Sequence, residues 1–200
     1  MSVILCEDPF ICYVDDFIEH DLCDEIIGLA KPNLKRAGVS VMKTDNISGG
    51  RTNFSHWIKK HMNEKLQNLA EECACLVDCE DCNCFEDFQT IYYDVGQEYK
   101  YHYDAYNKDD PEKYKKFCKY GNRLVTVLGY LNDVEEGGET RFDKLDLSVQ
   151  PKKGRIIIFE NLKPDGSIHE LSRHAGLPVK KGEKWAFNLW LRERPTNVNC

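Results

Sequence analysis

Apolar residues recur at three- and four-residue intervals as far as Cys73, and in short, nearly unbroken runs from about residue 85 onward. A helix-period pattern does not bury itself as a strand, so the chain must gather helices first and strands afterwards. In the first part, Asp21 is placed to cap a helix carrying Leu22, Ile26 and Leu29, with Pro32 stopping it. From Ser55 onward, Ile58, Met62, Leu66, Leu69 and Cys73 predict one buried stripe on a helix of roughly five turns. Between these, Val39 to Arg51 alternates and ends in Gly-Gly punctuation, as a strand and turn would. In the second part the runs Phe88–Tyr93, Leu124–Leu131, Ile156–Phe159 and Trp185–Leu191 predict strands. They are separated by turn signals at Asp94-Val95-Gly96, Glu136-Gly137-Gly138, Lys153-Gly154 and Lys181-Gly182. The expected class is α+β: an antiparallel sandwich or barrel with the N-terminal helices packed on one outer face. Residues 1–84 form the supporting helical and strand region, 85–194 the core, and 195–200 a tail, all within one structural domain. The long polar segment 105–122 reads as a mobile loop beside whatever sits at residues 102–104.

A net charge of −7 without a lysine- or arginine-rich block argues against nucleic acid or an anionic membrane as partner. No stretch approaches the roughly 18 apolar residues of a membrane span. The opening MSVILCEDPFICYVDDF has neither the positive nor the unbroken apolar region of a secretory signal. A soluble, cytoplasmic protein is expected, in host cytoplasm if the chain is viral. In that setting the ten cysteines, five of them at Cys73, Cys75, Cys79, Cys82 and Cys84, are expected as free thiols. Cys79-x-x-Cys82 has a zinc-compatible spacing but lacks a second well-spaced pair. The sequence leaves the role of the cluster and the oligomeric state open.

Chemistry concentrates at two places. His102 and Asp104 are two apart on a strand-like run, so they project to one face while Tyr103 turns away. With a second histidine they would make the facial arrangement of non-haem iron(II) sites, which leaves positions open for a bidentate cosubstrate and dioxygen. An isolated H-x-D is also what a surface histidine before a loop acid looks like. The remote partner is His174, and ten residues later Lys184 opens the apolar run of the last strand. A lysine there either faces solvent or needs an anion, because a buried, unpaired ammonium is costly.

Residues 89–104 resemble the prolyl 4-hydroxylases, whose pattern Y-x-x-G-x-x-Y-x-x-H-x-D is met by Tyr93, Gly96, Tyr99, His102 and Asp104. Tyr130-Leu131-Asn132 and Gly137-Gly138-Glu139-Thr140 are similar to a second block of that family. His174 with Lys184 and Trp185 is similar to a third. Arg51-Thr52 resembles a further element more loosely, with Asn53 where the family has serine. The resemblance implies a double-stranded β-helix, or jelly-roll, with Fe(II) on His102, Asp104 and His174. It implies 2-oxoglutarate held by Lys184, with hydroxyl hydrogen bonds from Tyr93 and Thr140. It further implies O2 as oxidant, ascorbate as reductant, release of succinate and CO2, and hydroxylation of prolyl residues at the 4-position of a protein or peptide. Trp190, Tyr99, Tyr103 and Arg51 are the expected substrate-side residues. The same ligands would serve a different side chain or a small molecule, and a jelly-roll that has lost catalysis would keep the fold as a binding module.

Overall fold

The computed structural model describes residues 2–37, 50–107, 110 and 117–196. The chain opens with a hairpin, β1 (Ser2–Glu7) and β2 (Phe10–Val14), followed by helix α1 (His20–Ala30) and a 3-10 turn at Lys31–Asn33. Next come β3 (Lys35–Arg36), β4 (Phe54–Ile58) and helix α2 (Glu64–Leu76). The remainder is strand: β5 (Phe88–Tyr93), β6 (Tyr99–His102), β7 (Arg123–Tyr130), β8 (Glu136–Gly137) and β9 (Thr140–Phe142). It continues with β10 (Leu147–Val149), β11 (Ile156–Glu160), β12 (His174–Gly176), β13 (Val179–Lys181) and β14 (Lys184–Arg192).

One antiparallel sheet runs β1-β2-β11-β7-β14-β5-β4-β3; a second runs β10-β9-β12-β6, with β13 and β8 paired separately. The four long apolar runs are the four central strands of the larger sheet. Such runs are unbroken because both faces of the sheet are covered. On one face Phe88, Val127, Ile156, Phe187 and Leu189 share a cluster with Leu22 and Ile26 of α1 and Leu66, Leu69 and Cys73 of α2. On the other, Ile91, Leu128, Ile157, Phe159 and Ala186 meet Phe142, Val149 and Val179 of the smaller sheets. The molecule is thus mostly β, with two facing sheets in the manner of a jelly-roll. Close packing explains one glycine: a Cβ at Gly129 would stand 2.4 Å from the ring of Phe187, its cross-strand partner.

Three sequence expectations are corrected. The predicted helix from Ser55 is a strand as far as Ile58, and Met62 is exposed; the helix starts after Asn63. Strand pairing with β5 wins at 54–58, and Asn63 caps α2 by accepting from Leu66 N–H at 2.9 Å. Asp21 lies in the first turn of α1 rather than capping it; the cap position is Glu19, without a side-chain bond. The N-terminal hairpin was not predicted, although Ser2–Val14 carries two apolar runs around Asp8-Pro9. The strand and turn expected at Val39–Arg51 fall largely outside the described residues, as does part of the loop 105–122. Gly96, Gly137, Gly138, Gly154 and Gly182 occupy the expected turns with positive φ. Among the described residues, no helix is long and apolar enough to cross a membrane.

Asn63 also donates to Glu25 of α1 at 2.8 Å, so it fastens the two helices together. Asn63→Ala should therefore lower unfolding stability by about 1 kcal/mol, the ordinary worth of an N-cap. Urea unfolding should show a lower midpoint with an unchanged slope.

Candidate metal and anion site

β12 pairs with β6 in a register that sets His174 directly opposite His102. Each imidazole is anchored by its own strand: Nδ1 of His102 donates to the Lys100 carbonyl at 2.8 Å, and Nδ1 of His174 to the Ser172 carbonyl at 2.9 Å. A carbonyl can only accept, so both Nδ1 atoms carry a hydrogen, and both Nε2 atoms are turned toward the third member of the cluster. His102 Nε2 stands 3.5 Å from Asp104 Oδ1 and His174 Nε2 3.7 Å from Oδ2. The three ligating atoms lie within 4.8 Å of one another. Burial, helped by His102, pushes His174 down to about 4. Burial alone would raise Asp104, but His174, His102 and Arg123 hold it well below the usual carboxylate range. A neutral His174 beside an ionised Asp104 matches the protonation states a divalent metal requires. Two nitrogens and one oxygen converging from one side fit an iron(II) ion with open positions.

Lys184 supplies the second half of the site. It pairs across strands with Tyr93 and is 2% exposed. Its Nζ donates to the Gly138 carbonyl at 2.7 Å and stands 5.3 Å from the ring centres of Tyr93 and Tyr130. Burial lowers its pKa to about 7, with Glu139 partly restoring it. A carbonyl and two ring faces are meagre company for a buried ammonium, and a carboxylate would complete it. Tyr93, His102, Asp104, Thr140, His174 and Lys184 line one small cavity that opens to the surface. Gly176 keeps that space clear, since a Cβ there would sit 3.5 Å from the Tyr93 hydroxyl and 3.9 Å from Nζ. The Tyr130 hydroxyl lies 2.7 Å from Thr140 Oγ1 and 3.2 Å from the Val149 carbonyl oxygen, which holds the Thr140 side chain at the cavity wall.

Of the expected site residues, His102, Asp104, His174, Lys184, Tyr93, Thr140 and Tyr99 share one cavity. Tyr99 stacks on the His102 ring at 3.6 Å, and Arg51 lies over Tyr99 at 4.7 Å while bonding Asn53 and Gln89. Tyr103 turns away, its hydroxyl reaching the Glu170 carbonyl at 3.4 Å. Trp190 is not the open substrate residue expected. It is 3% exposed, and its indole donates to Asp104. Sequence reasoning missed Thr126, which also bonds Asp104, and the charged pair Glu86–Arg123 beside it. A threonine on a strand gives no signal by itself. The described cysteines are free thiols, and among the described residues only His102, Asp104 and His174 gather closely enough to hold a metal.

The chain matches the 2OG-Fe(II) oxygenase superfamily over residues 88–192. It is 34% identical over 190 residues to prolyl 4-hydroxylase subunit alpha-1 of Gallus gallus, covering 94% of this chain and 36% of that subunit. The chain thus spans about a third of the length of such subunits. Prolyl 4-hydroxylase 13 of Arabidopsis thaliana is 31% identical, with 94% of this chain and 72% of that protein aligned. Among solved structures, the viral collagen prolyl hydroxylase of Paramecium bursaria Chlorella virus-1, in complex with 2OG, superposes with a TM-score of 0.74. That pair is 31% identical over 94% of this chain and 98% of the other.

The empty-handed ammonium has a thermodynamic signature. Between about pH 7 and the ordinary lysine value of about 10.4, the unfolded chain binds a proton at Lys184 that the folded chain does not. Stability therefore rises with pH across that window, and the penalty is complete below it. Lys184→Met should be more stable than the parent near about pH 6, with the difference closing toward about pH 10. Urea midpoints of both proteins across this range check it; a constant difference would mean the ammonium has another partner.

Proposed function

We propose that this chain, which belongs to the prolyl 4-hydroxylase family of the 2OG-Fe(II) oxygenase superfamily, hydroxylates prolyl residues of a protein or peptide at the 4-position. The observation that carries the reading is the meeting, in one cavity, of a two-histidine, one-carboxylate cluster and a buried lysine that has no anionic hydrogen-bond partner among the described residues. In this reading His102, Asp104 and His174 hold Fe(II), and Lys184 takes the distal carboxylate of 2-oxoglutarate. When bound, iron and 2-oxoglutarate supply oxidative decarboxylation by O2 to succinate and CO2, coupled to C–H hydroxylation, with ascorbate as reductant.

The protein's part is to bind, orient and exclude water. The strand carbonyls of Lys100 and Ser172 keep both histidines turned with Nε2 inward. Tyr93 and Thr140 offer hydroxyl hydrogens beside Lys184, each charge-assisted bond contributing roughly 1.5–3 kcal/mol. Next to the cluster runs a groove of about 770 Å³, open to solvent and lined by Trp57, Tyr106, Tyr120, Arg123 and Arg192 together with Glu86. Aromatic faces suit the rigid, extended conformation of proline-containing segments, which is why a peptide rather than a small molecule is proposed. Tyr99, Tyr103 and Arg51 remain on the substrate side of the proposal, with Arg51 and Tyr99 stacked at the rim of the cluster. The two helices backing the larger sheet, supported by their shared cluster with its central strands, keep this platform rigid. An intracellular setting belongs to the same proposal and rests on the thiol content of the chain.

Incubation with a panel of proline-containing peptides should give a +16 Da product together with succinate. Asp104→Ala should abolish both, because it removes the only anionic ligand. Lys184→Ala should raise the 2-oxoglutarate requirement roughly 10- to 100-fold while sparing metal binding. Turnover by Asp104→Ala at ordinary iron concentrations would overturn the assignment.

A further inference from the structure

The ligand carboxylate is held from behind by a set of side chains with no assigned role. Asp104 Oδ2 accepts from Thr126 Oγ1 at 2.8 Å and from Trp190 Nε1 at 3.0 Å. Asn161 Nδ2 stands 2.9 Å from the same Thr126 oxygen. Thr126 and Asn161 are fully buried, and Trp190 and Asp104 nearly so. Water is therefore a poor substitute for any of these bonds.

The direction of each bond is forced. The Asn161 amide N–H donates to Thr126 Oγ1, so the single Thr126 proton is directed to Asp104 Oδ2. Indole N–H can only donate, which fixes Trp190 in the same sense. The indole itself is clamped. The Arg123 guanidinium lies 3.4 Å from the ring centre, and Arg123 is locked by two bonds to Glu86 at 2.8 and 3.0 Å. Two donors saturate the outward side of Oδ2, leaving Oδ1 as the oxygen with its lone pairs toward the cluster.

We propose that Thr126, Trp190 and Asn161 are positioning residues that aim Asp104 at the metal as a one-oxygen ligand. Trp190 thus acts on the ligand through its N–H. This inference rests on the metal-site reading. Outer partners of metal ligands typically contribute 10–100-fold in metal affinity. Thr126→Val keeps the shape and deletes the donor, Thr126→Ser keeps the donor, and Trp190→Phe keeps an aromatic ring without the N–H.

The test is anaerobic titration of the purified protein and each variant with Co(II), followed through the visible absorption of the bound ion and run without 2-oxoglutarate. Thr126→Val and Trp190→Phe should each weaken Co(II) binding roughly 10- to 100-fold, and Thr126→Ser should restore it to near the parent value. Urea midpoints establish that each variant is folded under the titration conditions. Affinity equal to the parent's in Thr126→Val and Trp190→Phe, or loss in Thr126→Ser as large as in Thr126→Val, would overturn the proposal. Failure of the parent itself to bind Co(II) would overturn the metal-site reading instead.

Discussion

Strand register is the constraint on which everything else in this molecule depends. Side chains alternate across a sheet, so a slip of one residue turns a whole strand inside out. Two register contacts make the site: His174 opposite His102 in the smaller sheet and Lys184 opposite Tyr93 in the larger. Neither pair is close in sequence, and neither element could place its residue alone. What pins the registers is the apolar alternation around them. Ile91, Leu128 and Ala186 face the smaller sheets, while Phe88, Val127 and Phe187 face the helices. A slipped β14 would drive Lys184 into the helix layer and Phe187 into the cavity. The same hydrophobic burial that stabilises the fold therefore aims the polar residues.

The site in turn imposes a cost on the fold, and the cost has a sign. Asp104 is an anion in a buried place, sustained by two indole and hydroxyl donors and by the nearby cationic Arg123. Lys184 is a cation in a buried place, and burial drives it toward neutrality. One charge is satisfied by the protein and the other is left wanting. That asymmetry identifies the cavity as a place where a carboxylate is expected from outside, more sharply than shape does. Strain of this kind, concentrated at one site while the rest of the chain is locally consistent, is typical of functional positions.

Most of the β-architecture was legible because the central strands are buried on both faces and so read as unbroken apolar runs. Lys184 was legible because it interrupts that logic. The error at Ser55–Met62 has a definite cause: Ile58 and Met62 fit a helical stripe with Leu66, but Phe54–Ile58 is recruited by β5 through long-range pairing that no local period reports. The N-terminal hairpin leaves a weaker signal, since its two runs are short and only Asp8 and Pro9 separate them. From the sequence, Trp190 reads as a substrate-side aromatic of the closing strand. The structure turns its N–H inward to Asp104, and that direction depends on which face of β14 looks at the cluster. Thr126 and Asn161 were illegible for the same reason. Their chemistry exists only once β7 and the segment after β11 lie side by side.

The groove lined by Trp57, Tyr106 and Tyr120 and the His102–Asp104–His174 cluster are mechanically one object. Glu86 receives Arg123 at 2.8 Å and Arg192 at 3.1 Å, and these two guanidiniums overcome the effect of burial to hold its carboxyl below the usual range. A buried ion triad is weak as a source of stability, since replacing such groups with apolar ones is often neutral. Its value lies in geometry. A bidentate Arg123–Glu86 contact fixes a planar cation in one orientation, and that plane is laid on the indole that bonds Asp104. A backbone carbonyl of an incoming peptide that engages Arg123 would therefore meet a donor already oriented by the ligand's own support. Tyr106 contributes from the other side, within 5.0 Å of Arg123 and 4.8 Å of Arg192. Under the proposed function, substrate preference would then depend on how a peptide lies over Trp57, Tyr106 and Tyr120, which stand outside the cluster itself.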